Sequence, residues 1–419
     1  MKKPFENKPA NFLIFLFVSL YLFSCSQKNT ETVSSEDAQL EKKSLTGKSE
    51  LNNLPTVIAE QLLLADKNYP ELDKYPRSVE NGETILVGIK DWTSGFYPGS
   101  LWYTYDLTKD DKVLAAAKAR TAPLEPLKDA THTHDLGFML YCSFGNALNI
   151  GGDESAKPIL LQGAKSLISR YSETVGCIKS WDWSKEWKYP VIIDNMMNLE
   201  LLFWATKESG DSTFYKIAEQ HALTTLRNHF REDGSTWHVV DYDPESGDVL
   251  EKVTHQGYAD SSSWARGQAW AIYGYTVAFR ETKKEVFLEQ AEQTTDFYLN
   301  HPNQPEDLVA YWDFNDPSIP DVSRDASAAA IVSSALFELA NYVDADKGQL
   351  YKEKATAILE SLASDEYLAK PGENNYFLLK HATGNLPANS EIDEPLNYAD
   401  YYFIEALRRY LGKDAITSM

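Results

Sequence analysis

Along most of the chain one pattern recurs: an apolar stretch of helical length, a short polar turn, then a stretch with one polar face. Three instances are "LELLFWATKESGDSTFYKIAEQHALTTLRNHF", "WAIYGYTVAFRETKKEVFLEQAEQTTDFYLNH" and "AAAIVSSALFELANYVDADKGQLYKEKATAILESLA". "GFMLYCSFGNALNIGGDESAKPILLQGAKSLISRY" and "FYPGSLWYTYDLTKDDKVLAAAKART" repeat it. The first member of each pair is apolar nearly all round and belongs inside, whereas the second is amphipathic and belongs outside. With an opening helix in "LPTVIAEQLLLADKNY" and a closing one in "NYADYYFIEALRRYLG", the pattern predicts about twelve helices. An all-α (α/α)6 barrel, six inner helices within six outer ones, accommodates this alternation. A regular helical solenoid fits less well, because the loops between hairpins are long and uneven. Strand-like segments such as "STWHVVDYD" are few and fall in those loops.

The ends of the pattern set the domain organisation. "MKKPFENKP" is a basic leader, "ANFLIFLFVSLYLF" an apolar run too short for a comfortable membrane span, and "LFSC" closes it at Cys25. That order resembles a bacterial lipoprotein signal over residues 1–24, cleaved before Cys25 with lipid on its sulfur. It implies a cell-envelope location, periplasmic or outer-surface. Residues 25–50 are polar, lack a hydrophobic period and are expected to form a flexible tether. Residues 51–419 are expected to form the catalytic barrel domain, long enough for one substantial core. Cys142 and Cys177 fall in apolar or helical surroundings and are expected as buried free thiols. The formal net charge of -22 argues against nucleic acid as a partner.

In an alternating barrel the inner helices run the same way, so the loops that precede them meet at one mouth. Standing there are Phe96, Tyr97, Asp135, Asp194, Ser262, Ser263, Asp325 and the segment from Ser390 to Asp393. Each Asp or Ser also has a plain reading as a helix N-cap. The loops add His132 and His134, Trp237 and His238, and then Thr254, His255, Gln256, Trp264, Arg266 and Trp270. Trp92, Trp102, Trp181, Trp183 and Trp187 are read as loop residues too, with core packing the plain alternative for Trp102, and the chain holds ten Trp and twenty-four Tyr. Sugar rings pack their C–H faces on such side chains, which points to carbohydrate. Arg266 and Trp270 are four apart and share one helix face. A buried Arg266 needs an anion: Asp194, Asp135 or a substrate carboxylate. "HTHD" has no third or fourth ligand at zinc spacing, and neither a phosphate loop nor a Gly-x-Ser-x-Gly elbow is present. No metal or cofactor is expected.

Asp194 and Asp135 remain as acid/base candidates. The apolar run Val191, Ile192, Ile193 and the methionines Met196 and Met197 flank Asp194, and burial raises a carboxyl pKa, as does a second carboxylate. A helix N-terminus lowers it. The sequence does not decide between them.

Four ordered blocks, "THTHDLGFML", "YPVIIDNMMNLELLFWAT", "THQGYADSSSWARGQAWAIYGYT" and "NYADYYFIEAL", resemble the unsaturated glucuronyl hydrolases of glycoside hydrolase family 88. The resemblance runs from about Leu51 to the C-terminus and implies the same barrel. It implies removal of a terminal 4,5-unsaturated uronate from lyase-generated oligosaccharides, of glycosaminoglycan or ulvan type, by hydration of the C4=C5 bond. By the same resemblance Asp194 is the general acid/base and Asp135 the second essential carboxylate, both touching substrate. His238, Gln256, Arg266 and Trp270 are implied substrate contacts; Thr254, Ser390 and Asp393 are matched more by position than by motif. Two other readings stay open: an unsaturated rhamnogalacturonyl hydrolase and a non-catalytic glycan-binding lipoprotein.

Overall fold

A computed structural model describes the backbone of residues 35–413 and the side chains of residues 51–413. Cys25 and the leader lie outside the described residues. The chain divides into Met1–Thr46 and Gly47–Met419. Helical backbone begins at Ser35, inside the expected tether, and α1 (Ser35–Asn68) carries Pro55 in its interior. The run Ser35–Glu50 contains the helix formers Glu, Lys and Leu and no Pro. Among the described side chains, buried packing starts at Leu51.

The second unit is the (α/α)6 barrel. Its inner helices are α2 (Phe96–Thr108), α4 (Asn146–Gly151), α6 (Leu199–Ser209), α8 (Ala265–Thr282), α10 (Ala326–Leu339) and α12 (Asn397–Tyr410). The outer set is α1, α3 (Asp111–Thr121), α5 (Ala156–Ile168), α7 (Ser212–Asn228), α9 (Glu285–Asn300) and α11 (Ala345–Leu362). Two inner helices start irregularly: a π-helical segment, Gly137–Gly145, runs into α4, and a 3-10 turn, Ile193–Asn198, runs into α6. The inner ring closes through the contacts α2 to α12, α12 to α10, α10 to α8, α8 to the 3-10 turn, α6 to the π segment and the π segment to α2.

Residue type explains which helix goes where. α10, "ASAAAIVSSALFEL", is buried along nearly its whole length, because small side chains let neighbours approach on every side. α7 buries Phe214, Ala218, His221, Ala222 and Thr225, one stripe at helical spacing, and leaves its other face to water. Below the mouth, the inner helices are joined by a buried carboxylate. Glu405 of α12 accepts hydrogen bonds from Tyr103 of α2 (2.7 Å), Tyr273 of α8 (3.1 Å) and Ser334 of α10 (2.5 Å). With three hydroxyls on it, this carboxylate is satisfied out of water.

Among the described residues, strands occur only in the connections, as the sequence implies. β1 (Lys74–Glu80) and β2 (Glu83–Gly88) form a hairpin, as do β3 (Tyr171–Ser172) with β4 (Cys177–Ile178) and β8 (Ala382–Asn385) with β9 (Ser390–Glu394). β5 (Pro190–Ile192), β6 (Val239–Tyr242) and β7 (Val249–Val253) form a three-stranded antiparallel sheet in the order 5-6-7. That sheet ends beside the 3-10 turn, where the Ile193 N–H donates to the His238 carbonyl at 3.0 Å. Cys142 and Cys177 are buried free thiols.

Candidate active site

Two irregular helix starts carry the two aspartates. Asp135 precedes the π segment, and its carbonyl accepts from the Met139 N–H at 2.9 Å. Asp194 lies in the 3-10 turn. The segments touch closely: the Phe138 N–H donates to Asn198 Oδ1 at 2.9 Å, and a Cβ on Gly137 would lie 2.6 Å from Asn198 Cα. On the other side of the turn, a Cβ on Gly274 of α8 would lie 2.5 Å from Met196 Cβ. Two glycines thus clasp the turn that carries Asp194. The side chains of Asp194 and Asp135 are 11% and 14% exposed, so both are sheltered and neither is sealed.

N-capping explains only one of the mouth aspartates. Asp325 is the N-cap of α10, its carboxylate accepting from the Ser327 N–H at 3.1 Å. Asp194 caps nothing, and its Oδ2 is buried without a hydrogen-bond partner within the described chain. Asp135 instead accepts from the Thr133 hydroxyl at 2.8 Å, with His134 Nε2 3.4 Å from its other oxygen. His134 is buried, which lowers its pKa and keeps it neutral, whereas His132 is exposed.

The competition left open by the sequence is settled in favour of burial. Loss of solvent raises the Asp194 pKa to about 7; Arg266 and the residue's own backbone N–H pull it down, and Asp135 adds to the rise. The Trp270 indole N–H also favours the anion, yet it makes no hydrogen bond of normal geometry.

His238 completes this group. Its Nδ1 accepts from the backbone N–H groups of His255 and Gln256, each at 3.2 Å, so the ring proton of the neutral form sits on Nε2. Burial, reinforced by the charges of His255 and Arg266, holds its pKa well below the usual value. Nε2 lies 3.7 Å from Asp194 Oδ2. Asp194 Oδ2, His238 Nε2 and Trp270 Nε1 are thus three buried polar atoms without a partner in the described chain. Native interiors rarely leave such groups unpaired, and a cluster of them marks a place where a polar ligand docks.

Around this point the walls are aromatic. Trp264 lies 4.5 Å from the His238 ring, and Phe138 lies 5.2 Å from Trp270. Trp92 packs on Phe138 and on Tyr398, at 5.6 Å and 5.1 Å. Phe138 and Tyr398 escape a motif reading, because within apolar helices they look like ordinary core.

The remaining expectations divide. Arg266 is 1% exposed and pairs with Asp325 at 2.8 Å rather than with Asp194 or Asp135, donating also to the carbonyls of Thr383 and Gly384. The reason is topological, since α8 and α10 are neighbours in the ring and Asp325 caps α10. Gln256 donates to the Gly384 carbonyl at 3.0 Å. Thr254 shapes the loop, its hydroxyl accepting from the Gly257 N–H at 2.8 Å. Ser390 and Asp393 are exposed, and Asp393 pairs with His381 at 2.7 Å; they do not join the aspartate pair. The β8–β9 hairpin reaches the site through Gly384, and its Glu391 pairs with Arg77 at 2.6 Å.

Sequence comparison decides what this geometry belongs to. The profile of Glycosyl Hydrolase Family 88 matches residues 72–402. The chain belongs to that family. It is 52% identical over 347 residues to the unsaturated glucuronyl hydrolase of Formosa agariphila, covering 82% of this chain and 86% of the relative. The crystal structure of an unsaturated glucuronyl hydrolase specific for heparin superimposes with a TM-score of 0.85 at 47% identity, covering 88% of this chain and all of the other. The Streptococcus agalactiae enzyme, an Asp-to-Asn variant complexed with dGlcA-GalNAc6S, gives a TM-score of 0.74 at 30% identity, covering 87% and 92%. This family 88 chain is accordingly a glycosidase with an (α/α)6 barrel.

A proton held on buried Asp194 has a consequence for stability. In the unfolded chain this carboxyl ionises near 3.8, in the folded chain near 7. The folded state therefore binds the extra proton between those values, and stability falls as pH rises through that window. Asp194→Asn removes the penalty. Its melting temperature is expected to exceed the parent's at pH 8, by the equivalent of about 1–4 kcal/mol, and to match it closely at pH 4. Thermal unfolding at the two pH values checks this; an equal difference at both contradicts it.

Proposed function

We propose that this glycosidase removes the terminal 4,5-unsaturated uronate from oligosaccharides produced by polysaccharide lyases. The supporting observation is the buried, unpaired Asp194 carboxyl, with Asp135 beside it and the N–H groups of His238 and Trp270 turned to the same point. In this reading protonated Asp194 delivers its proton to C4 of the enol ether, and positive character develops at C5, shared by the ring oxygen. Asp194, now a carboxylate, takes a proton from the water that adds at C5. The hemiketal so formed opens: the ring oxygen leaves C5 as the C1 hydroxyl, C5 becomes a ketone, and the hemiacetal at C1 expels the remaining saccharide as an alcohol. One water is consumed, and Asp194 ends protonated.

The other residues have parts in this scheme. Asp135 accepts hydrogen bonds from sugar hydroxyls and, by its proximity, helps keep the proton on Asp194. Neutral His238 and Trp270 donate to the uronate. Arg266 is committed to Asp325, so it acts through its charge, which draws the uronate carboxylate into an otherwise acidic molecule. Gln256 and Thr254 hold the loop that fixes the His238 tautomer. No covalent sugar intermediate is needed, so the spacing rule for ordinary glycosidases does not apply.

Purified protein is expected to abolish the ultraviolet absorbance of the conjugated double bond in at least one lyase-generated disaccharide from chondroitin, hyaluronan, heparin or ulvan. Asp194→Asn is expected to lower kcat/KM by at least about a hundredfold, and Asp135→Asn nearly as much. Undiminished activity in Asp194→Asn would overturn the acid/base assignment.

The leader sequence supports a second part of the reading, attachment at the cell envelope through lipid on Cys25. Full-length protein expressed with its leader is expected to enter the detergent phase on Triton X-114 partitioning, and Cys25→Ser to lose that behaviour. Identical partitioning of the two would contradict lipidation.

A further inference from the structure

The loop 179–189, between β4 and β5, carries three tryptophans. Trp181 meets the His238 ring edge-on at 5.8 Å. Trp187 stacks on Trp181 at 5.7 Å with 27° between planes, and Trp183 lies 5.1 Å from Trp181. His255 touches all three, at 5.2 Å, 5.2 Å and 6.0 Å from Trp181, Trp183 and Trp187. A continuous wall of rings thus starts beside Asp194 and ends at Trp183, which is 59% exposed. Among the described residues no other large apolar side chain is as exposed.

Packing alone accounts poorly for this outer end. The inner rings are covered by one another and by His255, yet the Trp183 indole faces water at the end of a continuous ring wall that leads to the site. The loop is also pinned at both ends. Arg170 donates to the carbonyls of Thr131, Lys179 and Ser180 and pairs with Asp182 at 2.7 Å. At the far end Asp241 accepts from the N–H groups of Lys188 and Tyr189, at 3.1 Å and 2.7 Å. A wall fixed in advance spends little ordering entropy when a ring docks on it.

We propose that Trp183 and Trp187, with His255, form a subsite for a sugar ring beyond the one that leaves: the third from the unsaturated end of the oligosaccharide. This rests on the uronate-hydrolase reading above, which sets the order along the wall. The reacting sugar lies at Asp194 and His238, and the leaving sugar borders Trp181, the ring in contact with His238. Trp183 and Trp187 contact Trp181 and His255 and stand one layer further out. Stacking on indole faces reads ring shape and tolerates differences in substituents. The subsite therefore selects for length rather than for one sulfation pattern.

The test is calorimetric binding of unsaturated di- and tetrasaccharides of chondroitin, hyaluronan, heparin and ulvan to the Asp194→Asn protein, in which turnover is blocked. For the polymer that binds, the tetrasaccharide is expected to bind about two- to twelvefold tighter than the disaccharide. Adding Trp183→Ala is expected to erase that difference without weakening the disaccharide, and Trp183→Phe to keep most of it. Equal affinity for the two lengths, equal weakening of both by Trp183→Ala, or binding of neither would overturn the subsite. A parent protein that consumes no unsaturated disaccharide while still showing the length dependence would count against the hydrolase reading alone.

Discussion

The site depends on a close approach between two backbones. Gly137 at the start of the π segment lies against Asn198 at the end of the 3-10 turn, at a distance that leaves no room for a Cβ, and Asn198 Oδ1 takes the Phe138 N–H. A side chain at 137 would push the two inner helix starts apart and separate Asp135 from Asp194. Gly274 does the same service from α8 against Met196. Asp194 Oδ2 has no hydrogen-bond partner within the described chain, and Asp135 is held only by its sequence neighbours Thr133 and His134. The two aspartates are neighbours because the helices that carry them are allowed to touch, and the irregular π and 3-10 windings at these starts are the local deviation seen often at working sites.

From that contact the electrostatics follow. Clasped between inner helices, Asp194 loses most of its water, and its proton is retained near neutrality despite Arg266 and a local N–H that favour the anion. His238 is held neutral by the same burial, with its tautomer fixed by two backbone donors. A protonated carboxyl facing a neutral imidazole is a pair in which both groups can donate, which suits an electron-rich substrate carrying its own carboxylate. Arg266 keeps its charge because Asp325 and two carbonyls surround it. Breaking such a buried pair by removing one partner typically costs about 3–5 kcal/mol, so Asp325 belongs to the support of the site although it touches neither aspartate.

Much of this was legible in the sequence, and for identifiable reasons. Inner helices such as α10 are apolar all round and outer ones such as α7 have one stripe, so periodicity alone separates the rings. Asp135 and Asp194 lie at loop-to-helix junctions, whereas His238 adjoins β6 and Trp270 lies within the first turns of α8, and one topology brings them together. What escaped depended on tertiary contact. The partner of Arg266 came from the neighbouring helix start, fifty-nine positions away in sequence, and no local spacing encodes that. Ser390 and Asp393 stand exposed on β9 of a hairpin that reaches the mouth through Gly384. Phe138 and Tyr398 carry no signal that distinguishes a wall of the site from core.

Everything proposed for the reaction turns on where the Asp194 proton resides at neutral pH. The direct measurement is a pH titration of aspartate carboxyl carbons by NMR in protein labelled at those positions, with Asp194→Asn used to assign the resonance. The account predicts a midpoint near 7 for Asp194, far above an ordinary carboxyl. A midpoint near 3.8, with the group fully ionised at neutral pH, would contradict it.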